Sequence, residues 1–233
     1  MSGTVSGWMK GEGGQPGAQT PARYRWPAPS TQTWTGPKRS IFVAAVLGLV
    51  VASLISVAVA PLLMPASYSW VEHAVSATAA QGLDHAWLTR LGFLLQALAV
   101  LLLVELARER WGVWGRSLHR LYAISVVAAA IFSQSQWEPL PFDVLEDFLH
   151  SAAAFTVGIG FTVGVLVIRF RRAPHPGWIR LLDLVAVAAA LVIPLVMFYV
   201  PTVAGAAERL MFIIAYLWYG TEAILSAPTV RSG

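Results

Sequence analysis

Six apolar runs divide this chain, and short polar or charged segments separate them. The runs are Ile41–Leu63, Ala86–Leu106, Leu118–Phe132, Val144–Ile168, Leu181–Val200 and Leu210–Leu225. A helix rises about 1.5 Å per residue, so about 20 residues cross a hydrocarbon core of about 30 Å. The third run is short by this measure, and we expect Ser133–Trp137 to extend it. The pattern predicts an all-α, polytopic protein with a bundle of six transmembrane helices.

The segments outside the runs are too short for a folded soluble domain. Residues 1–37 are rich in Gly, Pro, Ser, Thr and Gln, a composition typical of a disordered tail. This tail also contains Trp8, Tyr24, Trp26 and Trp34. Docking of the tail on a partner protein or on the membrane surface is therefore the alternative. We expect three parts: the tail at 1–37, a transmembrane domain at 38–228 and a short C-terminal tail at 229–233.

Cations are concentrated on one side of the predicted membrane. That side has Lys38, Arg39, Arg108, Arg110, Arg116, Arg120, Arg169, Arg171, Arg172, Arg180 and Arg231, whereas the opposite connections have only Arg90 and Arg209. Cytoplasmic loops of membrane proteins are enriched in Lys and Arg. The asymmetry therefore predicts that both termini lie in the cytoplasm.

Composition narrows the classes of function. The chain is 57% hydrophobic and 12% charged, and its mean hydropathy is +0.64. It has no Cys, which excludes disulfides, thiol catalysis, Fe–S clusters and Cys-type zinc sites. The pI near 9.8 is explained by the basic connections, so no nucleic-acid partner is expected. No organic cofactor is predicted either, and the lipid bilayer is the first expected partner.

Polar residues of the extracytoplasmic connections suggest a metal site. Asp143, Asp147 and His150 are spaced i, i+4, i+7, which brings residues to one face of a helix. Together with His73 or His85, they would supply nitrogen and oxygen ligands for Zn or another divalent metal. A metal-bound water would have a lowered pKa, and Ser76 and Glu146 are the candidate catalytic residues beside it.

Helix capping is the alternative explanation of the same residues. Asp143-x-x-Glu146 and Ser69-x-x-Glu72 both have the spacing of a capping box. The second box predicts a short interfacial helix over Trp70–Ala80, and Asp84 is the expected N-cap of the second run. The sequence leaves open whether this cluster binds a metal or caps helices.

Three acidic residues near the helix ends need partners. Glu105, Asp183 and Glu222 lie near the predicted cytoplasmic boundary, where Arg108 or Arg180 would neutralise two of them. Glu222 lies among aromatic residues, and for this residue the alternative to pairing is a position that faces a cavity.

Arg209 opens the sixth run at the positive end of its helix dipole, an unfavourable position for a cation. We therefore expect a carboxylate partner for it from the extracytoplasmic cluster.

The fourth run contains a spacing that favours close helix packing. Gly160-x-x-x-Gly164 allows two helix backbones to approach each other in a membrane. We expect this face, together with the N-terminal tail, to bind other chains of a membrane protein complex.

Several short motifs resemble those of a known family. They are Tyr68-Ser69-Trp70-Val71-Glu72-His73-Ala74-Val75-Ser76, Gly82, Trp87-Leu88-Thr89-Arg90-Leu91-Gly92-Phe93, His150 and Glu208-Arg209. Over about 41–225, the chain is similar to the bacterial domain-of-unknown-function family nine-nine-eight. The resemblance implies a six-helix protein of the bacterial plasma (inner) membrane and implies no particular activity. A weaker similarity is to the membrane hydrolases of the ceramidase and progestin-receptor type, whose paired His-x-x-x-His this chain lacks.

Three classes of function are compatible with these observations. A non-catalytic accessory or scaffold subunit fits the absence of a catalytic signature and the glycine-lined fourth run. A membrane-embedded metallohydrolase of lipid or envelope substrates fits the extracytoplasmic His and carboxylate residues. A small-solute transporter fits the number of runs, although charged residues at mid-membrane depth are scarce. We favour the accessory subunit.

Overall fold

The structure is a computed structural model that describes residues 36–172 and 176–227. Nearly all of the two predicted tails, including the four tail aromatics and Arg231, lies outside the described residues. Within the described ranges the chain is helical and has no strand. The α-helices are α1 (Gly36–Val59), α2 (Ala86–Leu106), α3 (Arg108–Ile131), α4 (Val144–Arg171), α5 (Gly177–Tyr199) and α6 (Ala204–Leu225). Short 3₁₀ turns occur at Ala60–Leu63, Ser76–Ala79 and Pro201–Val203.

Helix α3 extends beyond the predicted run at its N-terminal end and not at its C-terminal end. It begins at Arg108, and the residues of Ser133–Trp137 are not helical, so the predicted extension was wrong. Gly112 has φ 63° and ψ −174°, a conformation that glycine adopts without a steric penalty. This kink lets the charged first turn continue directly from α2. The segment after α3 is held out of the helix by hydrogen bonds to the first turn of α4.

The connection between α1 and α2 also differs from the prediction. The expected helix over Trp70–Ala80 is wrong, because only Ser76–Ala79 forms a 3₁₀ turn. The backbone N–H of Val75 instead donates to the carboxylate of Glu208 in α6. It therefore does not form the hydrogen bond that a helix over this segment would require. The N-cap of α2 is His85, without a side-chain hydrogen bond, so the capping role expected for Asp84 is also wrong.

Four of the helices are long and apolar enough to cross a membrane. They are α1 with the turn that follows it, α2, α4 and α5, with mean hydropathies from 2.0 to 2.7 over their most apolar stretches. Helices α3 and α6 do not meet the same standard, because charged and polar side chains lower their hydropathy. The described residues thus form an all-helical protein of the membrane type.

The glycines of α4 pack against α3 within the same chain. A Cβ atom on Gly160 would lie 3.0 Å from the carbonyl oxygen of Leu118, and one on Gly164 would lie 2.7 Å from Nε2 of His119. Close approach of α3 therefore fills the face that was expected to bind another chain. The small-residue spacing has an intramolecular role here, and a complex with other membrane chains stays a prediction.

Contacts between distant segments define two ends of the bundle. At the loop end, which comprises residues 64–85, 132–143 and the start of α6, Ser67 Oγ donates to Glu138 at 2.6 Å and Gly205 N donates to Glu72 O at 3.2 Å. At the arginine end, which comprises the start of α1, the α2–α3 junction, Arg172 and the end of α6, Arg39 Nε donates to Ser226 O. Most of the candidate functional side chains lie at these two ends.

Candidate functional site

Asp143 at the loop end caps helix α4. Its Oδ1 accepts hydrogen bonds from the backbone N–H groups of Leu145 at 2.9 Å and Glu146 at 3.0 Å. These are two of the N–H groups that a helix leaves without an internal partner. The capping interpretation of this residue is confirmed.

The next carboxylates of α4 hold the segment that precedes the helix. Glu146 Oε1 accepts from Ser133 N at 2.7 Å, and Asp147 Oδ1 accepts from Ser135 N at 2.6 Å. Ser76 Oγ donates to the side chain of Gln134 in the same segment, at 3.0 Å. The two residues proposed as catalytic, Ser76 and Glu146, thus contact neighbouring positions of one backbone segment.

His150 caps the C-terminal end of helix α3. Its Nδ1 lies 2.8 Å from the carbonyl oxygen of Phe132 and 3.2 Å from that of Ala129. Because carbonyl oxygens only accept hydrogen bonds, Nδ1 carries the proton and donates it. The side chain is buried, with 4% of its surface exposed. His150 therefore satisfies carbonyl groups that the end of α3 leaves unpaired.

His73 belongs to an aromatic group on the other side of the loop end. Its Nδ1 accepts from Ser69 N at 2.8 Å, and its ring stacks on Trp137 with centroids 5.1 Å apart. Within 36–172 and 176–227, no three His, Asp or Glu side chains come together in a way that would hold a metal ion. The zinc site proposed from His73, Asp143, Asp147 and His150 stays a prediction that would need these contacts to rearrange.

Arg209 is held by backbone carbonyl groups. Its Nη1 donates to the carbonyl oxygens of Trp70, His73 and Gly205 at 2.6, 3.1 and 2.8 Å. Nη2 donates to the Tyr68 hydroxyl at 2.6 Å. The described residues provide no carboxylate that forms an ion pair with it, so the expected carboxylate partner is wrong. The segment before α2 wraps around the start of α6 and directs its carbonyl oxygens toward the guanidinium.

Tyr68 and its neighbours line a groove at the surface of the loop end. The groove has a volume of about 380 Å³ and is lined by Ala58, Pro61, Leu62, Tyr68, Trp70 and Arg209. Burial raises the pKa of the Tyr68 phenol above its usual 10.0, although Arg209 acts in the opposite direction. The groove thus combines a neutral hydroxyl and a guanidinium with an apolar wall.

Glu222 is the centre of a buried charge network at the arginine end. Its carboxylate, in a residue that is 1% exposed, accepts hydrogen bonds from the guanidinium groups of Arg110 and Arg172. Trp111 Nε1 also donates to it, at 2.7 Å. Asp183 accepts from Trp218 Nε1 at 2.9 Å. The network joins α3, α5 and α6 to the residue that follows α4.

The partners expected for these carboxylates were wrong. Asp183 and Glu222 interact with Arg172, which lies 3.5 Å from Asp183, rather than with Arg108 or Arg180. Glu105 pairs with Arg120 on the surface. The expected partners were near in sequence, whereas the kink at Gly112 turns the first residues of α3 toward the end of α6.

His119 is a buried residue that sequence reasoning missed. Its Nδ1 lies 2.9 Å from the Tyr219 hydroxyl, and its ring stacks on Trp218 with centroids 5.1 Å apart. Its Nε2, opposite Gly164, has no hydrogen-bond partner among the described residues. His119 lies between Arg116 and Arg120, so its sequence neighbours do not indicate a buried position. The glycine on the facing helix was the one available signal that a large ring packs there.

A family model matches most of the chain. It covers residues 36–224 and is described as "Protein of unknown function (DUF998)". No curated protein and no solved structure matches this chain. The resemblance found in the 68–76 and 87–93 motifs, in His150 and in Glu208-Arg209 is thereby confirmed. Because the matched region takes in all six α-helices almost completely, the chain belongs to the DUF998 family.

Proposed function

We propose that this protein is a non-catalytic accessory or scaffold subunit of the bacterial plasma membrane. One observation supports this function above the others: the ionisable side chains at both ends are used to hold the bundle together. Asp143, Asp147 and Glu146 bind backbone N–H groups, and Glu222 binds two arginines and a tryptophan. Side chains that are paired within the chain in this way support a structural role rather than a reactive centre.

All six helices cross the bilayer in this proposal, with both termini in the cytoplasm. Helix α6 has Arg209 at the loop end and Glu222 at the arginine end, so it extends over the same depth as its apolar neighbours. Helix α3 likewise begins beside Glu222 and ends beside His150. Charged residues in membrane helices are tolerated where they face the interior and pair there. The low hydropathy of α3 and α6 is therefore compatible with a spanning role.

The topology predicts opposite labelling of the two ends. The chain has no Cys, so single-cysteine variants need no altered background. Thr202→Cys lies in an exposed turn at the loop end, and Gly177→Cys lies at the exposed start of α5. We expect a membrane-impermeant maleimide to label Thr202→Cys in spheroplasts. Gly177→Cys should be labelled only after the membrane is permeabilised. The reverse pattern would show that the termini lie outside.

The accessory role predicts a defined assembly. Partner chains would pack on the faces that the bundle leaves open, and α5 is the foremost candidate, since 22% of its most apolar stretch is buried within the chain. After purification in a mild detergent, we expect the protein to co-elute with another membrane chain at a fixed ratio. Elution of the chain alone would contradict the proposal.

Elemental analysis of the same sample tests the metallohydrolase hypothesis. A scaffold subunit should contain no stoichiometric zinc. One equivalent of zinc per chain that disappears in a folded His150→Ala variant would favour the hydrolase instead. That result would also assign a function to Asp143, Asp147 and His73, which the scaffold role uses only for structure.

A further inference from the structure

The groove at the loop end lies where an apolar helix meets polar backbone. One wall is formed by the last turn of α1 and the 3₁₀ turn that follows, including Ala58, Pro61 and Leu62. Leu62 is 80% exposed, and Trp70 on the opposite wall is 58% exposed. Tryptophan is enriched at the interface between membrane and water. In a membrane, the groove would therefore open at the depth of the lipid headgroups.

The polar wall carries the guanidinium of Arg209, which no carboxylate within 36–172 and 176–227 contacts directly. Arg209 forms no ion pair within the part of the chain that the structure describes, and its neighbour Glu208 turns away to accept from Val75 N. A guanidinium has five N–H donors. Of these donors, Arg209 uses those of Nη1 and one of the two on Nη2. Nε–H and one Nη2 N–H are left, and such a pair binds a phosphate or carboxylate through two parallel hydrogen bonds.

We propose that this groove binds one anionic phospholipid. The phosphodiester accepts from the Nε and Nη2 edge of Arg209, and an acyl chain lies along Ala58 and Leu62. The carbonyl oxygens around Nη1 hold the guanidinium in place, so little side-chain entropy is lost when the lipid binds. A headgroup with net negative charge is preferred, because no carboxylate of the described residues forms an ion pair with the guanidinium.

Filling the groove tests the proposal without disturbing the bonds of Arg209. Ala58→Trp places an indole on the exposed apolar wall, and Val51→Trp is the matched control, two turns earlier on the same exposed face of α1. Phosphatidylglycerol is titrated into each purified full-length protein in a non-ionic detergent, and bound lipid is counted by native mass spectrometry. We expect Ala58→Trp to weaken binding about tenfold or more and Val51→Trp to leave it unchanged.

Three further arms separate the possible ligands. Phosphatidylcholine should bind more weakly than phosphatidylglycerol, and equal binding would overturn the preference for net negative charge. Inorganic phosphate should not displace the lipid at similar concentrations. If it does, the site binds a free anion and the lipid proposal is wrong.

Arg209→Lys keeps the charge but loses the paired donors, so the affinity of this variant for phosphatidylglycerol should fall between those of the wild type and Ala58→Trp. Unchanged affinity in Ala58→Trp would overturn the proposal.

Discussion

Replacing Glu222 by Gln is expected to destabilise the protein by about 3–5 kcal/mol, which is the cost of leaving buried charges without their partner. Arg172 has 7% of its side chain exposed and Arg110 has 28%, so water cannot fully replace the lost carboxylate. The loss should appear as a lower midpoint in thermal unfolding of the detergent-solubilised protein.

The surface pair of Glu105 and Arg120 provides the matched control. Its two side chains are 49% and 44% exposed, and an exposed ion pair contributes about 0–1 kcal/mol. Glu105→Gln removes the same charge from the same end of the bundle. Equal effects of the two variants would mean that the buried network does not hold the arginine end together.

Gly205→Ala is expected to release the start of α6 from the loop end. The added Cβ would lie 2.1 Å from the carbonyl oxygen of His73 and 2.7 Å from that of Trp70, and both are backbone atoms. Backbone cannot move aside as a side chain does, so the helix must shift and the bonds of Arg209 must lengthen. We expect a loss of about 3 kcal/mol, at the upper end of overpacking effects. Thermal unfolding measures it.

Gly158→Ala is the control for this substitution. Gly158 lies within α4, and a Cβ there would meet no atom within 4 Å. Alanine is favoured over glycine inside a helix by about 1 kcal/mol, so this variant should be as stable as the wild type or more stable. Opposite signs for the two variants are the expected result. A neutral Gly205→Ala would show that α6 does not need its close contact with the 70–73 backbone.

The sequence predicted helix ends best where a long, mostly apolar stretch ends close to a polar residue. Both ends of α2 and the first residue of α4 were predicted correctly, because His85, Arg108 and Asp143 lie within two positions of these ends. Helix α3 was misjudged because its first half is charged, and hydrophobic patterns do not report a helix that is stabilised by ion pairs. The kink at Gly112 depends on a backbone angle that many glycines in the chain do not adopt.

Side-chain roles were predictable only where they are local. The cap formed by Asp143 involves residues two and three positions away, a spacing that the sequence displays directly. Arg209 binds carbonyl oxygens, which every residue has, so no residue type indicates them. Glu222 reaches Arg110 over 112 positions and Arg172 over 50. Such pairs follow from the packing of α6 on the rest of the bundle and cannot be read from neighbouring residues.

The position of α6 has a consequence for how the chain is made. It is the last of the six helices to leave the ribosome, yet it supplies the partners that close both ends. Before its synthesis, Arg110 would lack the carboxylate that it binds in the finished bundle, and Val75 N–H would lack Glu208. These groups must therefore remain without those partners until α6 has been made. Assembly of both ends is thereby delayed until α6 has been translated.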